Sequence, residues 1–176
     1  ESYHLPWVHP GLNSYSRLED HYNIEERGQY SGQGTLVYRQ LTDQDGATFP
    51  DFDGLSDKWN EGAEYIAVYP NVLLGVQRDH VFAIVLEPVD QENTVEHIEL
   101  YYAKSIDDTP QHDGLRASNA QLWKTVFEED VFVVEGMQKG RHGMLFDGGR
   151  FSPVMDGPTH NFHHWVATQI ENGRAE

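Results

Sequence analysis

The sequence predicts an α+β fold, a curved antiparallel β-sheet packed on a long C-terminal helix. Two observations predict it. From Glu64 to Lys104 the chain is a series of β-branched and aromatic runs separated by short turn signals. From Ala117 the apolar spacing changes to that of a helix and holds for several turns. Strands followed by helices, with hairpin-length links between the strands, form a sheet layer covered by a helix layer.

The elements follow in order. Residues 1–30 are polar with scattered aromatics and read as loop and short helix. Residues 31–62 are rich in Gly, Asp, Gln and Ser; apart from the run TLVYRQ they read as an irregular excursion, long enough to cover a pocket. Then come EYIAVYP, NVLLGVQ, HVFAIVLEPV and TVEHIELYYAK, broken at Pro70-Asn71, Arg78-Asp79 and Asp90 through Asn93. Such short connectors make hairpins, hence a meander. HVFAIVL is apolar at nearly every position, which suits a strand covered on both faces. After a loop near 105–115, ASNAQLWKTVFEEDVFVVEGMQKG reads as a helix ending near Gly140. PTHNFHHWVATQIENG reads as a last helix, with Pro158 in its first turn and Gly173 past its end.

Composition excludes several functions. The 176 residues suffice for one domain with a core. Twelve basic against 29 acidic residues give a formal charge of -17, which argues against nucleic acid or an anionic membrane as partner. There is no cysteine, so the chain itself holds no disulfide, zinc ribbon or iron–sulfur cluster. Its apolar runs are too short to span a bilayer, and no signal peptide is visible, which makes a cytoplasmic location the expectation.

The chemistry gathers at two places. The chain opens ESYHLPWVHPGL, where His4 and His9 stand five residues apart. That is not the spacing of a regular helix, but both rings converge if a helix begins or breaks between them, and Pro6 suits such a break. On the long helix, positions 123, 126, 127, 130, 134 and 137 share one face, and all but Asp130 are apolar. A carboxylate in a buried stripe needs a compensating partner, an Arg or Lys, several N–H donors or a cation. Glu128 and Glu129 fall to the outer sides, where solvent suffices. Two histidines and one carboxylate form a facial triad suited to iron(II), with open positions left for oxygen and substrate. Hydrogen-bonded histidines and an Asp130–Arg ion pair are the alternatives. His160, His163 and His164 also share a helix face, without a nearby acid or cysteine that completes a second metal site. His21, His80, His97, His112 and His142 read as surface or hydrogen-bonded residues.

ESYHLPWVHPGL resembles the mononuclear-iron motif of the Rieske non-haem iron oxygenases, the ring-hydroxylating dioxygenase large subunits. VFEEDVFVVEGMQKGRHG and GRFSPVMDGPTHNFHHWV resemble the end of the same catalytic domain, and the meander lies where the family has its sheet. The resemblance spans nearly the whole chain, with its segments in the family's order. It implies that residues 1–176 are a catalytic mononuclear-iron domain without its N-terminal Rieske domain. It implies His4, His9 and Asp130 as iron ligands and Glu1 as the acid linking this iron to a neighbouring subunit's Rieske cluster. A Glu at that position is similar to the choline, carnitine and glycine-betaine oxygenases.

The implied cofactors are a mononuclear Fe(II), a [2Fe-2S] Rieske cluster on the absent domain, and NAD(P)H through a reductase partner. The implied assembly is a homotrimer of the full subunit. The implied reaction is O2-dependent hydroxylation or N-demethylation of a small, quaternary-ammonium-type substrate, with aromatic ring dihydroxylation second. Trp123, Phe127, Val134, Tyr69 and Phe82 are the pocket candidates, facing the interior between sheet and helix, where aromatics hold a cation by its π-contacts. Plain core packing is their other reading. A non-catalytic ligand-binding module of the helix-grip type and a zinc hydrolase on the same triad are the rival classes.

Overall fold

The computed structural model describes residues 4–15, 17–24, 28–103 and 110–173. Six strands form one antiparallel sheet in chain order: β1 (His21–Ile24), β2 (Tyr30–Thr35), β3 (Ala63–Val68), β4 (Val72–Val76), β5 (His80–Pro88) and β6 (Thr94–Tyr102). Among the described residues three α-helices accompany it, with short 3-10 turns between elements: α1 (Leu5–Val8), α2 (Asp113–Arg141) and α3 (Gly157–Gly173). The expected meander is β3 to β6, and the long helix starts four residues before Ala117.

Register decides what faces the helix. On β5 the residues His80, Phe82 and Ile84 are buried. Directly opposed residues of an antiparallel pair share a face. So Tyr102, Leu100, Ile98 and Glu96 of β6, paired with His80, Phe82, Ile84 and Leu86, belong to the same side. The core lies between this face and the first half of α2, with Phe82, Ile84, Trp123 and Val126 at its centre. Phe82 lies flat over Gly75 of β4, where a Cβ would sit about 2.1 Å from its ring. The glycine sets how deep this aromatic lies.

Three expectations are corrected here. Residues 21–35 are not loop, since β1 and β2 add two strands to the sheet, and TLVYRQ leaves the sheet after Thr35. Hydrophobic periodicity does not show β2 because its buried side chains are polar: Ser31, Gln33 and Thr35. Gln33 donates to the Met155 carbonyl at 3.0 Å, and Ser31 to the Pro158 carbonyl at 3.0 Å, tying the strand to the entry of α3. Gly34 faces the Tyr22 ring at a distance that excludes any Cβ. The second correction is the helix stripe. Its second half does not pack on the sheet, and Val134 and Met137 are 62 % and 56 % exposed. The third is Tyr69. It is buried, but against Phe162 and Trp165 of α3, with its hydroxyl bonded to Ser31.

The excursion between β2 and β3 does act as a cover. Phe49 is buried against Leu115 and Tyr102, Arg78 donates to Asp51, and the Tyr38 hydroxyl donates to Asp79 at 2.8 Å. Beneath it, Asp79 accepts from the His80 Nδ1–H at 2.8 Å, and His80 Nε2 accepts from the Trp123 indole N–H at 2.8 Å. Indole nitrogen only donates, which fixes the neutral Nδ1–H tautomer of His80. Among the described residues, no helix is long and apolar enough to cross a membrane.

Candidate metal centre

The one-turn helix α1 explains the five-residue spacing. His4 is its N-cap and His9 its C-cap, with Pro6 in the first turn, where a missing N–H costs nothing. The two rings therefore leave from opposite ends of a single turn and meet over α2. Leu12 anchors this segment by packing against the core cluster of Phe82, Ile84, Trp123 and Val126.

His4 Nε2, His9 Nε2 and Asp130 Oδ1 converge. The nitrogens are 3.2 Å apart, His9 Nε2 is 3.2 Å from Asp130 Oδ1, and His4 Nε2 is 3.6 Å from it. Bonds of about 2.1 Å to one ion separate neighbouring ligand atoms by about 3.0 Å in an octahedron and about 3.4 Å in a tetrahedron. The triangle fits a three-residue site with open positions. No other grouping of His, Cys, Asp and Glu among the described residues comes together in this way. Asp130 lies at the rim of the core rather than within it, with a side chain 37 % exposed. Its ion partners among the described residues are the two histidines, with no arginine.

The expectation that solvent alone satisfies Glu129 is corrected: its side chain is 31 % exposed but has a protein partner. Its carboxylate accepts from His9 Nδ1–H at 2.8 Å. A carboxylate only accepts, so a proton sits on Nδ1, which leaves Nε2 as the atom that would ligate a metal at the triad. Consecutive helix positions diverge by about 100°, so one ring reaches both acids only by lying across α2. His9 does this, with Nδ1 on Glu129 and Nε2 on Asp130. A carboxylate behind a ligating histidine orients the ring and raises its basicity. Helical spacing places each residue by its own angle, while a long flat ring spans two. Glu96 is a further acid on this side. Partial burial and the Asp130 charge push its carboxyl above the usual range.

Phe82, Trp123 and Phe127 come together beside the triad. Phe82 is edge-on to Trp123 at 4.5 Å and to Phe127 at 5.2 Å, and Trp123 stacks on Phe127 at 5.6 Å. Val134 and Tyr69 lie outside this group. His160 and His163 pack on the Phe151 ring instead of forming a metal face. Glu1 lies outside the described residues.

Residues 1–172 match the family described as "Ring hydroxylating alpha subunit (catalytic domain)". The chain belongs to this family. It is 28 % identical over 180 residues to the putrescine 2-hydroxylase of Ralstonia nicotianae, covering 94 % of this chain and 47 % of that protein. It is 23 % identical over 163 residues to the chloroplastic choline monooxygenase of Arabidopsis thaliana, covering 92 % of this chain and 35 % of that one. The chain thus spans about half, or less, of the length of these curated relatives. Its fold is similar to the quaternary ammonium Rieske monooxygenase CntA solved with L-carnitine, with a TM-score of 0.66, 21 % identity, and coverage of 96 % of this chain and 42 % of that one. The expected α+β fold and the expected family are both found, and the match runs over nearly the whole chain.

Proposed function

We propose that His4, His9 and Asp130 hold a mononuclear iron(II), and that the domain hydroxylates or N-demethylates a small, positively charged aliphatic substrate. The observation that carries this reading is the convergence of the three ligand atoms, with Glu129 fixing the tautomer of His9. Iron(II) bound there would supply the redox chemistry of O2-dependent hydroxylation. The chain's own residues hold, orient and exclude. Glu129 keeps the His9 lone pair on the metal side, and Phe82, Trp123 and Phe127 keep water from the adjoining interior. The acids around the triad and the charge of -17 favour a cationic substrate over an anionic one.

The relatives' names point the same way, since putrescine, choline and carnitine all carry a cationic nitrogen. A chain without cysteine cannot supply the thiolates of a Rieske [2Fe-2S] cluster, so the electron donor lies elsewhere in the assembly. In our reading it is fed by an NAD(P)H-dependent reductase in the cytoplasm. Glu1 is the bridging acid to a neighbouring subunit of a trimer.

The test is metal analysis of the anaerobically purified, iron(II)-reconstituted domain beside His4→Ala and Asp130→Ala. About one iron per chain, lost in both variants, is the expected result. A wild type without iron, or variants that bind it equally well, would overturn the triad. The substrate class is then read from a screen of aliphatic amines, methylammonium compounds and aromatics on the full subunit.

A further inference from the structure

Helix α2 meets the sheet at two places and stands off it between them. In its first half Trp123 and Val126 pack on Phe82 and Ile84 of β5. Near its end Gln138 donates to Glu92 at 3.3 Å, and His142 Nε2 lies 3.2 Å from the same carboxylate, in the turn between β5 and β6. The apolar residues between these contacts stay uncovered. Val134 and Met137 continue the helix face of Trp123 and Val126, yet both are exposed. On the sheet side Ile98 of β6 is paired with the buried Ile84 and is still 42 % exposed. Two inward faces that both remain open to solvent border a cleft. Asp130, one helical turn before Val134, brings the metal triad to its edge. The triad itself is reached from solvent there, since His4 and Asp130 are each about a third exposed.

Glu96 is the charged group on the sheet side of this cleft. Its pairing with Leu86 puts it on the inward face of β6, two residues from Ile98. Its side chain keeps access to solvent, and it has no hydrogen bond or ion pair among the described residues. It lies within electrostatic reach of Asp130 but outside the triangle of ligand atoms. A cation held by Glu96 therefore sits beside the metal rather than in its place. An unpaired acid next to a like charge is unfavourable, and a cation between them offsets both. The other use of an inward charge on an edge strand such as β6 is to keep that edge from pairing with another chain.

We propose that Glu96 holds the cationic nitrogen of the substrate, with the alkyl part against Ile98 and Val134 in the cleft that ends at the triad. The proposal rests on the triad's being the iron centre and names the residue that selects for charge beside it. An ammonium with N–H groups donates to the carboxylate, and a quaternary ammonium is drawn by charge alone. A neutral molecule of the same shape keeps the apolar contacts and loses this attraction.

The test compares n-butylammonium with 1-butanol, titrated calorimetrically at one low ionic strength into the iron(II)-loaded wild type, Glu96→Gln and Glu99→Gln, with iron content measured in every sample. Glu99 is the control, because it lies on the opposite face of the same strand and its loss changes the net charge equally. The wild type is expected to bind the ammonium more tightly than the alcohol. Glu96→Gln should lose roughly three- to tenfold in ammonium affinity, keep its iron and leave the alcohol unchanged. Glu99→Gln should leave both affinities unchanged. Proton NMR of the bound ammonium should show shifts that appear with iron(II) and not with zinc in the triad. Equal losses in the two variants would assign the effect to overall charge, and an unchanged preference in Glu96→Gln would leave Glu96 as a guard of the strand edge. Either result, no binding of either probe, or shifts indifferent to the metal would overturn the proposal. A wild type without iron would instead overturn the triad, and the iron measurement separates the two failures.

Discussion

Among the described residues two buried histidines pair Nδ1 with a carboxylate, and the protein uses the two pairs in opposite ways. Glu129 accepts from His9 Nδ1 and Asp79 accepts from His80 Nδ1, each at 2.8 Å. Both histidines are buried, and both are held as the tautomer that leaves the Nε2 lone pair available. The difference is what faces that lone pair. At His80 it is the Trp123 N–H, which closes the network into a strut between sheet and helix. At His9 it is a second histidine and a second carboxylate, none of which has a proton to give in its ligating state. A carboxylate–histidine pair is therefore not in itself a metal site. It becomes one where the remaining nitrogen meets other lone pairs, and a brace where it meets a donor.

The sharpest way to break this comparison is to remove each histidine in turn. His9→Ala should abolish iron binding at a smaller unfolding cost than His80→Ala, because the ring is buried but its partners Glu129 and Asp130 are each about a third exposed and regain water. His80→Ala should leave iron at about one per chain yet cost about 2–4 kcal/mol in denaturant unfolding, since it strands the Trp123 N–H and deprives Asp79 of a donor. Iron content and the unfolding midpoint, measured on both variants, give a crossed pattern. If both variants lose iron, the two clusters are one unit and the distinction fails.

Glu129→Gln is the next largest effect. The amide still reaches His9, but it accepts more weakly and no longer supports the ring with a negative charge. Iron affinity should fall by roughly 10- to 100-fold, measured by competition with a chelator, with the fold unchanged. Glu128→Gln, one residue away and exposed, is the control and should change nothing. Equal affinities in the two variants would mean that the 2.8 Å contact orients nothing.

The same contrast shows what was legible in the sequence. His4, His9 and Asp130 could be singled out because each was anomalous by itself: two histidines flanking a proline turn, and an acid on an apolar stripe. Glu129 does not stand out in sequence, because nothing about it is anomalous until His9 lies across the helix. In sequence Asp79 marks a turn and His80 a hydrogen-bonded residue, which describes each alone but not the cluster that Tyr38 and Trp123 complete from distant parts of the chain. The strands β3 to β6 were visible through their apolar runs. β1 and β2 were hidden because their inward residues are held by hydrogen bonds to the α3 entry, and polarity in sequence does not reveal a satisfied partner. Val134 is the converse case, apolar and in phase yet exposed. Helical periodicity gives a face but not the length of sheet available to cover it, and the stripe outruns the sheet past Asp130.

The smallest effect sharpens the comparison most. Trp123→Phe keeps an aromatic ring against Phe82 and Phe127 but removes the N–H that caps His80. The acceptor at Nε2 is then buried and unpaired, at an expected cost of about 1–3 kcal/mol. The uncapped His80 would now resemble His9, with a carboxylate on Nδ1 and a free lone pair on Nε2. It should still take no metal, because no second ligand atom faces it among the described residues. A second equivalent of iron or zinc in this variant would show that the histidine–carboxylate pair alone makes a site. The origin of the cost is separable as well. In a His80→Leu background the acceptor is already gone, so Trp123→Phe should cost markedly less there than in the wild type. The same cost in both backgrounds would assign the loss to indole packing rather than to the hydrogen bond, and His80 would be filler rather than strut.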